Sequence, residues 1–235
     1  MVRSLYGLTR RRRILSIAAV LIILIVIFNS SSLFSTSDRA ETICDQDESV
    51  KKEMGDVFRR SIASLRSLQL HPFLCYDSLW SALNSDHMSF TWKSYNEICL
   101  KNEEVSEIEE ATVIRAFQRH GLRLAYFSST GEYEVTESPS GPMRLKIILF
   151  EKDTVTGNMR RVGWKHRLLP PDSCALIHCF PPHLLQDPLP QKTYYQLNIA
   201  VPRDEIEIQK YHYPEDWWKS VRDPKDCVPQ QHPNT

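Results

Sequence analysis

Glycine is scarce in this 235-residue chain: there are seven, and none stands in a GxGxxG or GxxxxGK[ST] pattern. That excludes a phosphate cradle of the Rossmann or P-loop kind, whose backbone must approach the phosphates closely. Zinc-type spacing is missing too. Cys174 and Cys179 are spaced C-x4-C, with no C-x2-C or H-x3-H partner after them, which does not match a structural zinc site. His178, His183 and His212 are isolated along the chain, so no Ser/His/Asp or Cys/His set can be argued from spacing. The formal net charge is zero. A nucleic-acid partner would need a basic stripe, which the charge distribution does not provide. There is no internal repeat, so a solenoid is excluded as well.

What is present begins at the N-terminus. Residues 1–28 hold five arginines (Arg3, Arg10, Arg11, Arg12, Arg13) and no acid, and Ile14 to Phe28 is an uncharged apolar run of 15 residues. Extended to Phe34 the segment has 21 residues, enough at about 1.5 Å per residue to cross a core of about 30 Å. The basic cluster predicts a cytoplasmic N-terminus. The expected organisation is a tail at 1–13, a transmembrane signal anchor at 14–34, a stem at 35–46 and one luminal domain at 47–235: a single-pass type II membrane protein. A cleaved signal peptide is the rival, but no A-x-A-like site follows Phe28, as cleavage would favour. Beyond residue 28 there are 24 basic and 29 acidic residues, so the luminal part is mildly acidic. All six cysteines (Cys44, Cys75, Cys99, Cys174, Cys179, Cys227) lie on that side. In an oxidising compartment they suggest up to three disulfides, with about 15 pairings open. The triplet Asn29-Ser30-Ser31 is a glycosylation signal, expected to go unused because it abuts the membrane.

Periodicity predicts an opening helix over 47–69, with Val50, Met54, Val57, Phe58, Ile62, Leu65 and Leu68 on one face. His71-Pro72 stops it. A strand-like start at Phe73 runs into a short apolar helix to Asn84. A further helix is expected over 102–120, capped by Asn102 and ended by Gly121, with Val105, Ile108, Ala111, Ile114 and Phe117 inward. Its acids read as a solvated face. Leu122–Phe127 and Glu132–Val135 flank a Ser-Ser-Thr-Gly turn, and Leu145–Phe150 suits a central strand. Met159 to Arg167 is its expected partner strand, and Tyr194 to Pro202 a last strand. Residues 168–192 hold six of the 14 prolines and read as irregular. Trp217 and Trp218 suit core packing under the tail better than stacking on a sugar. The order of elements is that of an α+β domain with a small, mostly antiparallel sheet.

Three segments resemble the LicD and fukutin-like family, in particular nematode-type fukutin-like type II membrane proteins. HPFLCYDSLWSALN resembles the helix-opening motif of that group. RLKIILFEKD followed by RRVGWKHR resembles its central hairpin, and AVPRDEIEIQKYHYPEDWW its ending. The resemblance spans residues 70–227. It implies a nucleotidyltransferase-like fold in the Golgi or endoplasmic reticulum. It also implies transfer of a phospho-alditol or phosphocholine group from a cytidine nucleotide donor to a glycan acceptor. Such chemistry needs carboxylates holding Mg²⁺ or Mn²⁺ on the donor phosphates.

The chain departs from that pattern. The motif glycines fall on Asp77 and Ser81 and its arginine on Asn84. The W-D-x-D-x-D-like segment reads Trp92-Lys93-Ser94-Tyr95-Asn96-Glu97, and the central-strand acid falls on Lys146. If catalysis survives, the carboxylates are expected among Asp77, Glu97, Glu151 and Asp153, with Trp164, Lys165 and Arg167 as substrate contacts. The alternative is a catalytically degenerate relative that binds a glycan or a partner enzyme.

Overall fold

The structure is a computed structural model, and it describes residues 48–83, 95–138, 143–167, 178–215 and 217–218. The expected membrane segment, the stem and the Asn29 triplet lie outside the described residues, as do Cys44, Cys174 and Cys227. Among the described residues, no helix is long and apolar enough to cross a membrane.

The described part is a mixed α+β unit. Helix α1 (Glu48–Ser67) opens it, followed by β1 (Phe73–Leu74) and α2 (Tyr76–Leu83). Then come β2 (Tyr95–Lys101), α3 (Asn102–Ser106), α4 (Glu110–Arg119), β3 (Arg123–Phe127), β4 (Glu132–Thr136) and β5 (Arg144–Lys152). Strand β6 (Met159–Arg161), helix α5 (Trp164–Arg167), β7 (Gln191–Tyr194), β8 (Leu197–Ala200) and α6 (Glu205–His212) complete it. The strands make one sheet in the order β3-β4-β5-β2-β1-β8-β7, with β6 also on β5. Only β2·β5 and β1·β8 are parallel among the described pairs. The sheet is thus mostly antiparallel, as the sequence predicts.

The periodic face of α1 is the core face. Val57, Phe58, Ile62 and Leu65 are fully buried, each contributing about 2 kcal/mol relative to exposure. Phe58 meets Tyr194 edge-on at 5.1 Å, which locks α1 to the β7–β8 hairpin. Its buried serines satisfy their hydroxyls locally: Ser61 donates to Val57 O (2.7 Å) and Ser64 to Arg60 O (2.9 Å). Arg60 donates to His120 O (3.2 Å), a carbonyl at the end of α4, and so ties the two helices together.

Several sequence expectations are corrected. The helix over 102–120 is two helices, broken at 107–109. The break turns α4 so that Val113, Ala116 and Phe117 face inward while Ala111 is exposed. Asn102 is not the cap: Lys101 occupies that position, without a side-chain capping bond. Gly121 does end α4, with φ +69° and Leu122 N–H reaching back to Phe117 O at 3.0 Å. The strand expected through Arg167 stops at Arg161, because Gly163 turns the chain (φ +113°) into α5. The last strand is a hairpin: Tyr195 and Gln196 both have positive φ and form its two-residue turn. Gln191 and Lys192, placed in the irregular stretch, belong to β7. Trp218 is exposed and Trp217 only half-buried, so neither supplies core.

Two glycines interlock. A Cβ on Gly131 (φ +65°) would lie 2.3 Å from the Val162 carbonyl carbon, and one on Gly163 would lie 2.6 Å from that of Thr130. The turn before β4 therefore sits backbone-to-backbone on the turn after β6. Gly131→Ala is expected to lower unfolding free energy by about 3 kcal/mol, combining left-handed strain with overpacking; an unchanged urea midpoint would refute this contact.

Cys75 and Cys99 are disulfide-bonded with Cα atoms 5.9 Å apart, and both are fully buried. They join the end of β1 to β2. Cys179 is disulfide-bonded as well. The Cys75–Cys99 bond closes a loop with a sequence separation of 24, worth about 3 kcal/mol on the loop-entropy model. The double variant Cys75→Ala, Cys99→Ala should lose about that much in chemical denaturation, and a loss well under 1 kcal/mol would contradict it.

Candidate functional site

Lys146 sits in the middle of β5. It pairs with Glu97 across the parallel β2 ladder and with Glu134 across the antiparallel β4 ladder. Paired residues project to the same side of a sheet, so one face carries an acid–base–acid row at this level. The Lys146 ammonium lies 4.3 Å from the centre of the Tyr95 ring. Arg144, paired with Tyr95, meets the Glu134 carboxylate at 3.3 Å. Farther along the same face, Arg161 on β6 meets the Glu132 carboxylate at 2.8 Å. Opposite charges thus alternate across the face.

Over one edge of this face stands the junction of β1 and α2. Tyr76 is buried with φ +48°, a left-handed conformation that costs an aromatic residue about 1 kcal/mol or more. Helix α6 takes up both its backbone groups. Tyr76 N–H donates to His212 Nδ1 (3.4 Å), and Tyr76 O accepts from Gln209 Nε2 (3.3 Å). The His212 ring stacks on Tyr76 with centroids 4.0 Å apart and planes 13° apart. Phe150 and Phe180 close the aromatic cluster.

Asp77 and Ser78 follow Tyr76, both buried. Asp77 N–H donates to Glu97 Oε2 (3.3 Å), and Ser78 Oγ accepts from Glu97 N–H (2.9 Å). Tyr213, just beyond α6, donates its hydroxyl to Asp77 Oδ1. The structure therefore brings Asp77 and Glu97 together. It places Glu151 and Asp153 elsewhere, in the β5–β6 hairpin, where Arg160 bridges them at 3.2 and 3.5 Å. Asp153 also accepts from Val155 N–H (2.9 Å). That bond, first, and Arg160 hold its carboxyl below the usual range; its work is to shape the turn.

The expected substrate contacts are on α5. Trp164 and Lys165 are exposed, with their backbone N–H groups on Ser128 O and Ser129 O, both at 3.2 Å. Arg167 is engaged by Glu151 at 2.9 Å. They lie on a different element from Asp77 and Glu97.

A divalent cation does not fit the described residues. Asp77 Oδ1 takes the Tyr213 hydroxyl, Glu97 Oε2 takes a backbone N–H, and a lysine stands beside Glu97. Among the described residues no group of three or more His, Cys, Asp or Glu side chains could hold a metal ion.

Sequence reasoning missed Tyr76, Glu132, Arg161 and His178 as neighbours. His178 Nδ1 lies 2.9 Å from the Tyr76 hydroxyl. Burial pushes the Tyr76 phenol well up, Arg161 opposes, and Glu97 and Glu132 add to the rise. Burial, then Arg161 and His166, push His178 down to about 4. Burial and Arg161 likewise lower His166, against Glu132 and a bond to the Thr130 backbone. No spacing in the chain signals this grouping; the residues come from five segments.

Compared with family models and with characterised proteins, the chain matches none.

His178 is neutral when folded and takes a proton below its ordinary value of 6.5 when unfolded. The unfolded state thus binds more protons between the two values, and stability should rise with pH from about 4 to 6.5 and then level off. In His178→Gln the gain in unfolding free energy between pH 4.5 and 7 should be smaller than in the parent chain. Equal gains in both would show that His178 is not held neutral.

Proposed function

We propose that this chain is a Golgi- or endoplasmic-reticulum-resident, single-pass type II protein. Its luminal domain is a fukutin-like, nucleotidyltransferase-type module that binds a glycan and does not transfer to it. The observation that carries the reading is the register of β2 on β5. Lys146, where the family resemblance implies an acid, is paired with Glu97. Its positive charge disfavours a metal at the place where donor phosphates would be neutralised. The Tyr213 hydroxyl on Asp77 supports the same reading, since it fixes the second carboxylate. A face of alternating carboxylates and cations, flanked by Tyr95, suits sugar hydroxyls, each of which can donate and accept.

The second reading is metal-dependent transfer of a phospho-alditol or phosphocholine group from a cytidine nucleotide. The proximity of Asp77 to Glu97 favours it.

Thermal unfolding of the full chain separates the two, because a ligand bound only by the folded state raises the midpoint, with about 2.7 kcal/mol of stability at 100 times its dissociation constant. A panel of glycans should include one that raises the midpoint equally with EDTA or Mn²⁺ present, and Lys146→Ala should weaken that shift. A rise that needs both Mn²⁺ and a cytidine nucleotide would restore the transferase reading.

A further inference from the structure

The two edges of the sheet are built differently. At one end β7 is short and polar, Gln191-Lys192-Thr193-Tyr194, with Lys192 engaged by Glu205 at 3.3 Å and with Pro188 and Pro190 just before the strand. Charge and proline at an edge are devices that keep other strands off. At the other end β3 has one charge, Arg123, and then the apolar stretch Leu124-Ala125-Tyr126-Phe127. Ala125, Tyr126 and Phe127 are exposed. No strand among the described residues pairs with the outer side of β3.

The direction of the β3 backbone is fixed by its turn. Phe127 O accepts from Gly131 N–H at 2.8 Å, so the Phe127 backbone groups point toward β4. Antiparallel ladders alternate. Ala125 and Arg123 therefore point the same way, and Leu124 and Tyr126 aim their N–H and C=O groups outward, where a further strand would bond them.

A second copy of β3, running antiparallel, meets that need in one register. Pairing Leu124 with the partner's Tyr126, and Tyr126 with the partner's Leu124, gives about four backbone hydrogen bonds. The two-fold axis then passes through the Ala125 pair. That pair is of the non-hydrogen-bonded kind, with Cα atoms about 4.5 Å apart, and the smallest side chain of the strand stands there. On the same face Arg123, which is exposed, lies against the partner's Phe127, and this contact occurs twice. A cation over an exposed aromatic ring is favourable. On the other face Leu124 meets the partner's Tyr126, and within each chain the Tyr126 ring rests on Tyr133 at 4.7 Å. No like charges meet. Shifting the register by two residues puts Leu124 or Tyr126 on the axis and takes Arg123 away from Phe127.

We infer that the outer edge of β3 is a self-association surface, and that its partner is a second copy of this chain paired antiparallel about Ala125. The inference goes beyond the glycan reading and does not rest on it. Ala125, Glu134, Lys146 and Glu97 are cross-strand neighbours in one row. The pairing joins two such rows into one surface, with the two Glu134 positions three strand spacings, about 14 Å, apart.

Sedimentation of the full chain in detergent micelles, together with cysteine crosslinking, tests it. The parent chain should be a dimer at micromolar concentration. Ala125→Cys should give a disulfide-linked dimer on mild oxidation, because the axial Cα separation lies within the disulfide range. Thr193→Cys, exposed on the β7 edge, should not. Ala125→Lys sets like charges directly opposite each other; it should raise the dimer dissociation constant about tenfold or more, with an unchanged circular-dichroism spectrum. Arg123→Ala should raise it about tenfold, through two lost contacts. A monomer throughout the micromolar range would overturn the self-pairing and leave the edge to a strand of another protein. A dimer that Ala125→Lys leaves unchanged, or crosslinking of Thr193→Cys as fast as that of Ala125→Cys, would place the contact elsewhere and overturn it as well.

Discussion

The structure depends on one constraint, the left-handed backbone of Tyr76. A helix that began in the ordinary way would aim the β1–α2 junction elsewhere, and the amide of its first residue has no partner within α2. Here His212 and Gln209 of α6 reach the Tyr76 amide and carbonyl, and the adjoining Cys75 is bonded to Cys99. The strain of about 1–3 kcal/mol is thus offset by a stacked histidine, two buried hydrogen bonds and a disulfide. The arrangement fixes three things together: Asp77 beside Glu97, the Tyr76 hydroxyl on His178, and the His212 ring of α6 against Tyr76 and Phe150.

Electrostatics on the sheet face follow from strand register. Because Lys146 pairs with Glu97 on one side and Glu134 on the other, its charge is flanked by acids at the closest cross-strand positions. Slipping β5 by one residue would exchange Lys146 for Ile147 on this face and put the lysine among core side chains, so the apolar core enforces the polar pattern. The same register places Arg161 opposite Phe150, at the level where Tyr76 stacks. Charge balance on this face is therefore a property of the fold and not of flexible surface side chains.

The sequence made the backbone plan legible where one face is buried. The α1 stripe, the central β5 run, the Ser-Ser-Thr-Gly turn and the Gly121 stop all have local causes, and they stand where the pattern puts them. Breaks in regularity were less legible. Nothing in the periodicity of 102–120 announces the turn at 107–109, since Ile108 and Ala111 fit the same stripe on paper. The Tyr195–Gln196 turn uses positive φ at residues that do not advertise it. Of the site, Asp77 and Glu97 could be singled out because a motif contains them. Arg161, Glu132 and His178 could not, because their grouping depends on β6 and on a proline-rich stretch with no periodic signal. Glu151 and Asp153 looked equivalent to Asp77 in sequence, and only the Arg160 bridge assigns them to the hairpin.

Left-handed backbones and unmatched buried polar atoms meet at one junction, and each is a cost that the rest of the domain must offset. The left-handed conformations at Tyr76 and His178 cost about 1 kcal/mol or more each before their surroundings offset them. Glycine at residue 76 would relieve the backbone strain but lose the ring stacked on His212 and Phe150, a larger cost. The buried Arg161 Nε and His166 Nε2 add to the loss, since unmatched buried polar atoms cost about 1–3 kcal/mol. A domain stable by only about 5–15 kcal/mol carries such terms at a noticeable fraction of its margin. The strained junction is therefore held by its surroundings, the stacked His212 ring and the two bonds from α6, and not by its own backbone preference.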